Sequence, residues 1–169
     1  MHMRAEIEEC FKGYPAQKKV AKYLLGRGFR VGKRKRVMCG NIEMAHTQIG
    51  RELGVDRRVV DAAVERILGS EKLMSMYANL ESVAFLRNAA PAMGLGVVVI
   101  SVEDASKPGM IGTIARKIAN HGISIRQAMA DDPYFSENPV FTVITDGKIK
   151  GRLFEDLKNI KGVKKITVY

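Results

Sequence analysis

Between residues 15 and 68 apolar positions recur at helical spacing. Pro15 suits a first helical position, and Val20, Ala21, Tyr23 and Leu24 behind it predict one helix, ended by Gly26 and Gly28. Phe29 to Cys39 has two short apolar ends around Gly32 and a basic tip, the pattern of a small hairpin or an ordered loop. Two further apolar stripes follow. Ile49 and Leu53 mark a short helix, while Val59 or Val60, Ala63, Val64 and Ile67 mark a second. Gly54 can take a positive φ and turn the chain between them. Val55 plugs that corner, and Asp56 is a good N-cap for the second helix. Glu81 to Ala90 predicts one more helix with Val83, Leu86 and Ala90 on one side, broken by Pro91 and Gly94. A domain boundary is expected at residues 89–94.

The period then changes. Gly96 to Val102 is a near-continuous β-branched run, as in a strand covered on both faces or central in a sheet. After a polar turn, Ile111, Ile114, Ala115 and Ile118 predict a helix from Met110 to about Asn120, closed by His121-Gly122. Strands are predicted over Ile123–Ala130 and Val140–Thr145, a helix over Ile149–Ile160, and a last strand over Val163–Tyr169. The order β-α-β-β-α-β is the split-βαβ, ferredoxin-like plan, with two helices on one face of a four-stranded antiparallel sheet. The predicted class is α+β: a helical, winged-helix-like domain over residues 1–90, then a ferredoxin-like domain over 94–169.

Composition excludes several classes. With 46% hydrophobic and 27% charged residues in 169, the chain is neither disordered nor collagen-like, and it can bury a core. The longest uncharged apolar run, Ala89 to Val102, falls short of the ~20 residues of a membrane span. Cys10 and Cys39 have no metal spacing and read as reduced thiols of a cytoplasmic protein. His2, His46 and His121 lack a Cys or carboxylate at ligand or triad spacing, and no glycine-rich phosphate loop occurs. No catalytic residue, metal or cofactor is therefore expected, and His121 reads as structural.

Charge adds a partner. The net charge is +10, and residues 1–80 hold 16 Lys and Arg against 9 Asp and Glu, with Lys33, Arg34, Lys35 and Arg36 consecutive. Such a cluster is either a solvated loop or an attractor for a polyanion, most often nucleic acid. Two short helices joined by a glycine turn form a helix-turn-helix, whose second helix can enter a major groove. Arg57 and Arg58 open that second helix, where arginine reads guanine or clamps phosphate. His46, Thr47 and Gln48 open the preceding one, where phosphate oxygens are met. Residues 15–75 resemble the winged-helix or other helix-turn-helix domain of a transcription regulator, best in Leu53-Gly54-Val55-Asp56-Arg57-Arg58-Val59-Val60. The usual wing follows the second helix, and Lys72 to Asn79 is barely long enough for one. The basic 33–36 run precedes the helix pair and is not assigned as a wing.

Ser106-Lys107-Pro108-Gly109-Met110-Ile111, His121-Gly122-Ile123-Ser124-Ile125 and the closing Gly162-Val163…Ile166…Val168 resemble the ACT domain, a small-molecule sensing module, over residues 95–169. The resemblance implies a small effector, in that family usually an amino acid, beside the loop after the first strand and at the second strand, commonly at a dimer interface. Aligned on Pro108-Gly109, the implied ligand residues are Asp104, Ser106, Gly109, Met110, Ser124 and Ile125. Ser106 stands where that family often has Asp or Asn. The connection 131–139, with Asp131, Asp132, Tyr134 and Glu137, is a lid, an interface element or inert, the latter two being favoured. The pairing of both domains resembles small predicted regulators of amino-acid metabolism from archaea. The expected function is an amino-acid-responsive transcription regulator that binds double-stranded DNA and dimerises through the ACT domain. The alternatives are a regulatory subunit of a biosynthetic enzyme and an RNA-binding regulator.

Overall fold

A computed structural model describes residues 3–133, 136–149 and 151–169; His2, Tyr134 and Lys150 lie outside the described residues. The fold is mixed α+β, with helices and two antiparallel sheets. Two compact units divide the chain, Met1–Ala84 and Phe85–Tyr169.

In the first unit, helices α1 (Met3–Cys10) and α2 (Pro15–Arg27) precede three short strands, β1 (Arg30–Gly32), β2 (Arg36–Cys39) and β3 (Ile42–Met44). Helices α3 (His46–Leu53), α4 (Arg57–Leu68) and α5 (Glu71–Tyr77) follow. The predicted α2 continues through Gly26 and stops at Gly28, which takes φ +66° as its C-cap. The basic 29–39 segment is a hairpin, pairing Val31 with Val37 and Gly32 with Arg36, and β3 adds a third strand. At the hairpin tip, Arg34 and Lys35 both hold left-handed backbone, φ +60° and +61°, a conformation that non-glycine residues adopt at a cost.

Helix α4 is the centre of this unit. Val60, Ala63, Val64 and Ile67 are fully buried on one face, against Val20, Ala21 and Leu24 of α2, Ile49 of α3 and the strand residues Val31 and Val37. Burying a Val or Ile side chain is worth about 1.5–3 kcal/mol, so this face fixes where both ends of α4 point. Asp56 caps α4, its Oδ1 accepting the Arg58 amide at 2.8 Å. Gly54 takes φ +65° as expected of the corner. Most of the 72–79 stretch belongs to α5 (Glu71–Tyr77) and forms no wing, the Ser70 cap, buried Leu73 and buried Tyr77 tying the helix back onto the core.

The expected helix over 81–90 does not form. The Glu81–Ser82 backbone lies against Gly28, and the Ser82 hydroxyl sits 3.0 Å from the carbonyl oxygens of both Arg27 and Gly28, so this stretch straps the end of α2. Only two 3₁₀ turns follow, Leu86–Asn88 and Ala90–Met93. Pro91 has no N–H to bond backwards and disfavours helix in the residue before it. The division therefore falls after Ala84, ahead of the expected 89–94 stretch.

The second unit runs β4 (Gly96–Val102), α6 (Met110–Asn120), β5 (Ile125–Ala130), β6 (Val140–Thr145), α7 (Arg152–Lys158) and β7 (Val163–Val168). The sheet order is β5-β6-β4-β7, all antiparallel. Helix α7 is shorter than expected, starting after Gly151, although Ile149 still reaches the core. On one face of the sheet Val98, Ile100 and Val143 pack with Ile114 and Ile118 of α6 and Leu153 and Leu157 of α7. On the other, Val97, Val99 and Ile144 are covered by Leu86, Ala90 and Leu95. The Leu86 amide donates to Gln127 Oε1 at 2.9 Å, which anchors the covering segment to β5. A strand covered on both faces needs apolar residues throughout, which is why 96–102 is not amphipathic.

Gly50 lets α3 and α4 meet: a Cβ there would stand 2.7 Å from the Val55 carbonyl oxygen, closer than side-chain carbons come to backbone. Gly50→Ala is expected to cost about 1–3 kcal/mol through overpacking, seen as a lower midpoint in thermal or urea unfolding. An unchanged midpoint would mean that the helices cross less closely than described.

Candidate functional sites

The first unit has a shallow groove of about 340 Å³ where the hairpin tip meets the starts of α3 and α4. It is lined by Arg34, Lys35, Glu43, Met44, Ala45, His46, Thr47, Arg57 and Asp61. Residues separated by more than ten positions in sequence are thus gathered on one surface. Helix α3 has no side-chain cap, since Ala45 occupies the N-cap position. The Gln48 amide donates to the Ala45 carbonyl at 2.9 Å, which leaves the His46 and Thr47 amides open to an oxygen acceptor in the groove.

Carboxylates temper the positive charge. His46 Nδ1 donates to Asp61 Oδ1 at 2.5 Å, which points its tautomer and leaves Nε2 for another partner. Arg57 Nε lies 3.3 Å from Asp61 Oδ2, an exposed i,i+4 pair of small energetic weight. Lys35 pairs with Glu65, and Arg36 with Glu43 at 3.5 Å. Arg34 and Arg58 make no ion pair among the described residues and are exposed. Lys33, Arg36, Gln48 and Arg58 lie outside the groove lining but remain solvent-facing. Asp61 was not foreseen: its i,i+4 spacing to Arg57 is visible in the sequence, whereas its bond to His46 depends on how α3 crosses α4.

The second unit has a cavity of about 260 Å³ at the C-terminal end of β4 and the start of α6. Ser106, Gly109 and Met110 line it, with Lys107, Pro108, Ile111 and Ile114. Ala130, Asp131, Pro139, Val140 and Phe141 close the opposite side. Three implied ligand residues are not part of this lining. Asp104 is exposed and occupied in its own turn, Oδ1 accepting the Ser106 amide at 2.9 Å and the Ser106 hydroxyl at 2.6 Å. Those two bonds hold its carboxyl below the usual range. Ser124 and Ile125 stand at the far end of β5: the Ser124 amide donates to Asp146 Oδ1 at 3.1 Å, and Ile125 pairs with Thr145. The cavity's carboxylate is instead Asp131, from the connection read as interface or inert. Its Oδ2 accepts the Val140 amide at 3.2 Å, and their backbones pair, which holds the carboxylate at the end of β5.

A second, more polar cavity lies across the Pro108–Met110 wall, lined among others by Lys107, Lys117 and Lys161. His121 Nε2 donates to Asp156 at 2.8 Å, linking the end of α6 to α7, in keeping with a structural role. Cys10 and Cys39 are free, and burial pushes the Cys10 thiol up against the opposing charge of Arg66. Among the described residues no three His, Cys, Asp or Glu side chains converge as metal ligands do. No helix among them is long and apolar enough to cross a membrane.

No protein family matches the sequence. No curated protein is significantly similar to it. Solved structures that resemble the chain include PH0061, at TM-score 0.28 and 11% identity, covering 90% of this chain and 88% of that one. AsnC of E. coli also does, at TM-score 0.22 and 11% identity, covering 92% of this chain and 89% of that one.

The His46 bond, with help from the charges of His46 and Arg57, lowers the Asp61 carboxyl below its ordinary value. A carboxyl depressed in the folded state stabilises the protein above its unfolded value near ~3.9, and that stabilisation fades as pH falls through the lower folded value. Asp61→Asn lacks it. The melting-temperature gap between wild type and Asp61→Asn should therefore be widest at neutral pH and shrink below about pH 4. A gap that does not change with pH would remove the assigned interaction.

Proposed function

We propose that this chain is an effector-responsive regulator that grips duplex DNA through its first unit and senses a small metabolite, an amino acid, through its second. The observation that carries the reading is the groove in which the basic hairpin tip, the open start of α3 and Arg57 at the start of α4 come together. The α3–α4 pair, with its glycine corner and capped second helix, has the geometry of a helix-turn-helix. Arg57 and Arg58 then face base edges, while His46, Thr47, Gln48 and the 33–36 tip hold phosphates on either side. Although the tip precedes the helix pair in sequence, its place beside α3 and α4 suits the work a wing does.

In the second unit, the βαββαβ order and the sheet order β5-β6-β4-β7 support the ferredoxin-like, ACT-type reading. The loop at Ser106–Met110 opens onto a cavity of metabolite size. Ser124 and Ile125, remote from that cavity within one chain, fit a role at an interface between copies. The edge strands β5 and β7 leave backbone groups for pairing with a second copy, and a two-fold dimer would read a pseudo-palindrome. An effector that favours one dimer geometry changes duplex affinity by its coupling energy, typically about 1–3 kcal/mol. The interleaved carboxylates Glu43, Asp61 and Glu65 favour a second reading, in which the same face docks on a biosynthetic enzyme.

A salt titration of duplex binding separates the two. Log K should fall steeply with log salt, and removing one phosphate-binding charge, as in Arg34→Ala, should lower the slope by about 1. Arg57→Ala and Arg58→Ala should each cost about 1–3 kcal/mol of specific affinity with ligand binding intact. Absence of duplex binding at low salt would leave the enzyme-docking reading, and preference for single strands or RNA would move the face to that class.

A further inference from the structure

The cavity beside α6 has a lining that selects among small metabolites. Most of its wall is hydrocarbon, with Met110, Ile111, Ile114 and Phe141 among the contributors. Its charged groups lie on opposite sides: Lys107 on the loop before α6, and Asp131 at the end of β5. Ile111 is half exposed although it belongs to an amphipathic helix with a well-buried inner face, so it offers apolar surface at the mouth with no partner in its own unit's core.

From this division we infer that the effector is an α-amino acid with an apolar, aliphatic side chain, its ammonium held by Asp131 and its carboxylate directed towards Lys107. The inference rests on the sensing role proposed above and specifies it. Asp131 can serve because only Oδ2 is used by the Val140 amide, so the carboxylate is fixed yet keeps acceptor capacity for an ammonium. Asp104 cannot serve, because its carboxylate is committed to Ser106 and lies outside the lining. At the other end, Lys107 also borders the cavity that carries Lys117 and Lys161 against one carboxylate, Asp156, which is bonded to His121, so the net field there favours an anion. A polar side chain would be buried against hydrocarbon without a hydrogen-bond partner, which selects against it.

Thermal shift and calorimetry with the full chain test this, using alanine, valine, leucine, asparagine, aspartate and lysine as probes. Affinity should rise from alanine through valine to leucine by about fourfold per added methylene, with no detectable binding of the other three. Asp131→Asn, which keeps an acceptor for the Val140 amide, should weaken leucine about tenfold or more, as loss of a charge-assisted bond predicts. It should leave 4-methylpentanoate, the analogue without the amino group, unaffected. Lys107→Gln, at an exposed position, should weaken both ligands. Asparagine, aspartate or lysine binding as well as leucine, or leucine binding Asp131→Asn unchanged, would overturn the inference while leaving amino-acid sensing in place. If none of the six binds, sensing of amino acids falls with it, and duplex binding measured on the same samples reports separately on the first unit.

Discussion

The buried face of α4 is the constraint from which the first unit's surface follows. Once Val60, Ala63, Val64 and Ile67 are committed to the core, Arg57 and Asp61 are set one turn apart along the flank of that face, Arg57 exposed at the first turn and Asp61 half-buried. The short contact between Gly50 and Val55 then sets how near α3 can come, and so brings His46 within reach of Asp61. The hairpin is docked by Val31 and Val37 into the same core, which carries its charged tip to the edge of the groove. A surface made of polar residues thereby owes its shape to apolar ones.

In the second unit the equivalent role falls to β4. Like β6, it is hydrogen-bonded on both edges, here to β6 and β7, and covered on both faces, so its position is firmly fixed. The chain leaves this rigid strand through a loop held by the Asp104–Ser106 turn, then enters α6. A cavity placed at such a junction has a stiff floor and a wall of loop residues. That combination suits a sensor, since contact with a small molecule is made by the part of the structure that has room to respond.

Periodicity made the order of elements legible, because both sheets and helices bury a face and therefore leave a period in the sequence. Asp56 as a cap and Gly54 as a corner were readable for the same reason: each satisfies a local backbone requirement. What escaped was decided by partners distant in sequence. Residues 81–82 are held by Gly28, so their own helical pattern was outvoted. Residues 72–79 have a buried Leu73 and Tyr77, and a helix serves these better than a wing. Alignment on Pro108-Gly109 found the loop side of the cavity, but the acid that faces it comes from residue 131, beyond a second strand, where no local signal marks it.

The hairpin tip has one more consequence. Arg34 and Lys35 occupy backbone space that glycine or asparagine would fill with less steric conflict, at a cost of about 1–2 kcal/mol per residue for an ordinary side chain. Of the two adjacent long cations in that posture, Lys35 reaches Glu65 of α4, while Arg34 is exposed and makes no ion pair among the described residues. A chain selected for rigidity alone would place small residues there; this one keeps the bulk and the charge, and so trades robustness of the fold for reach.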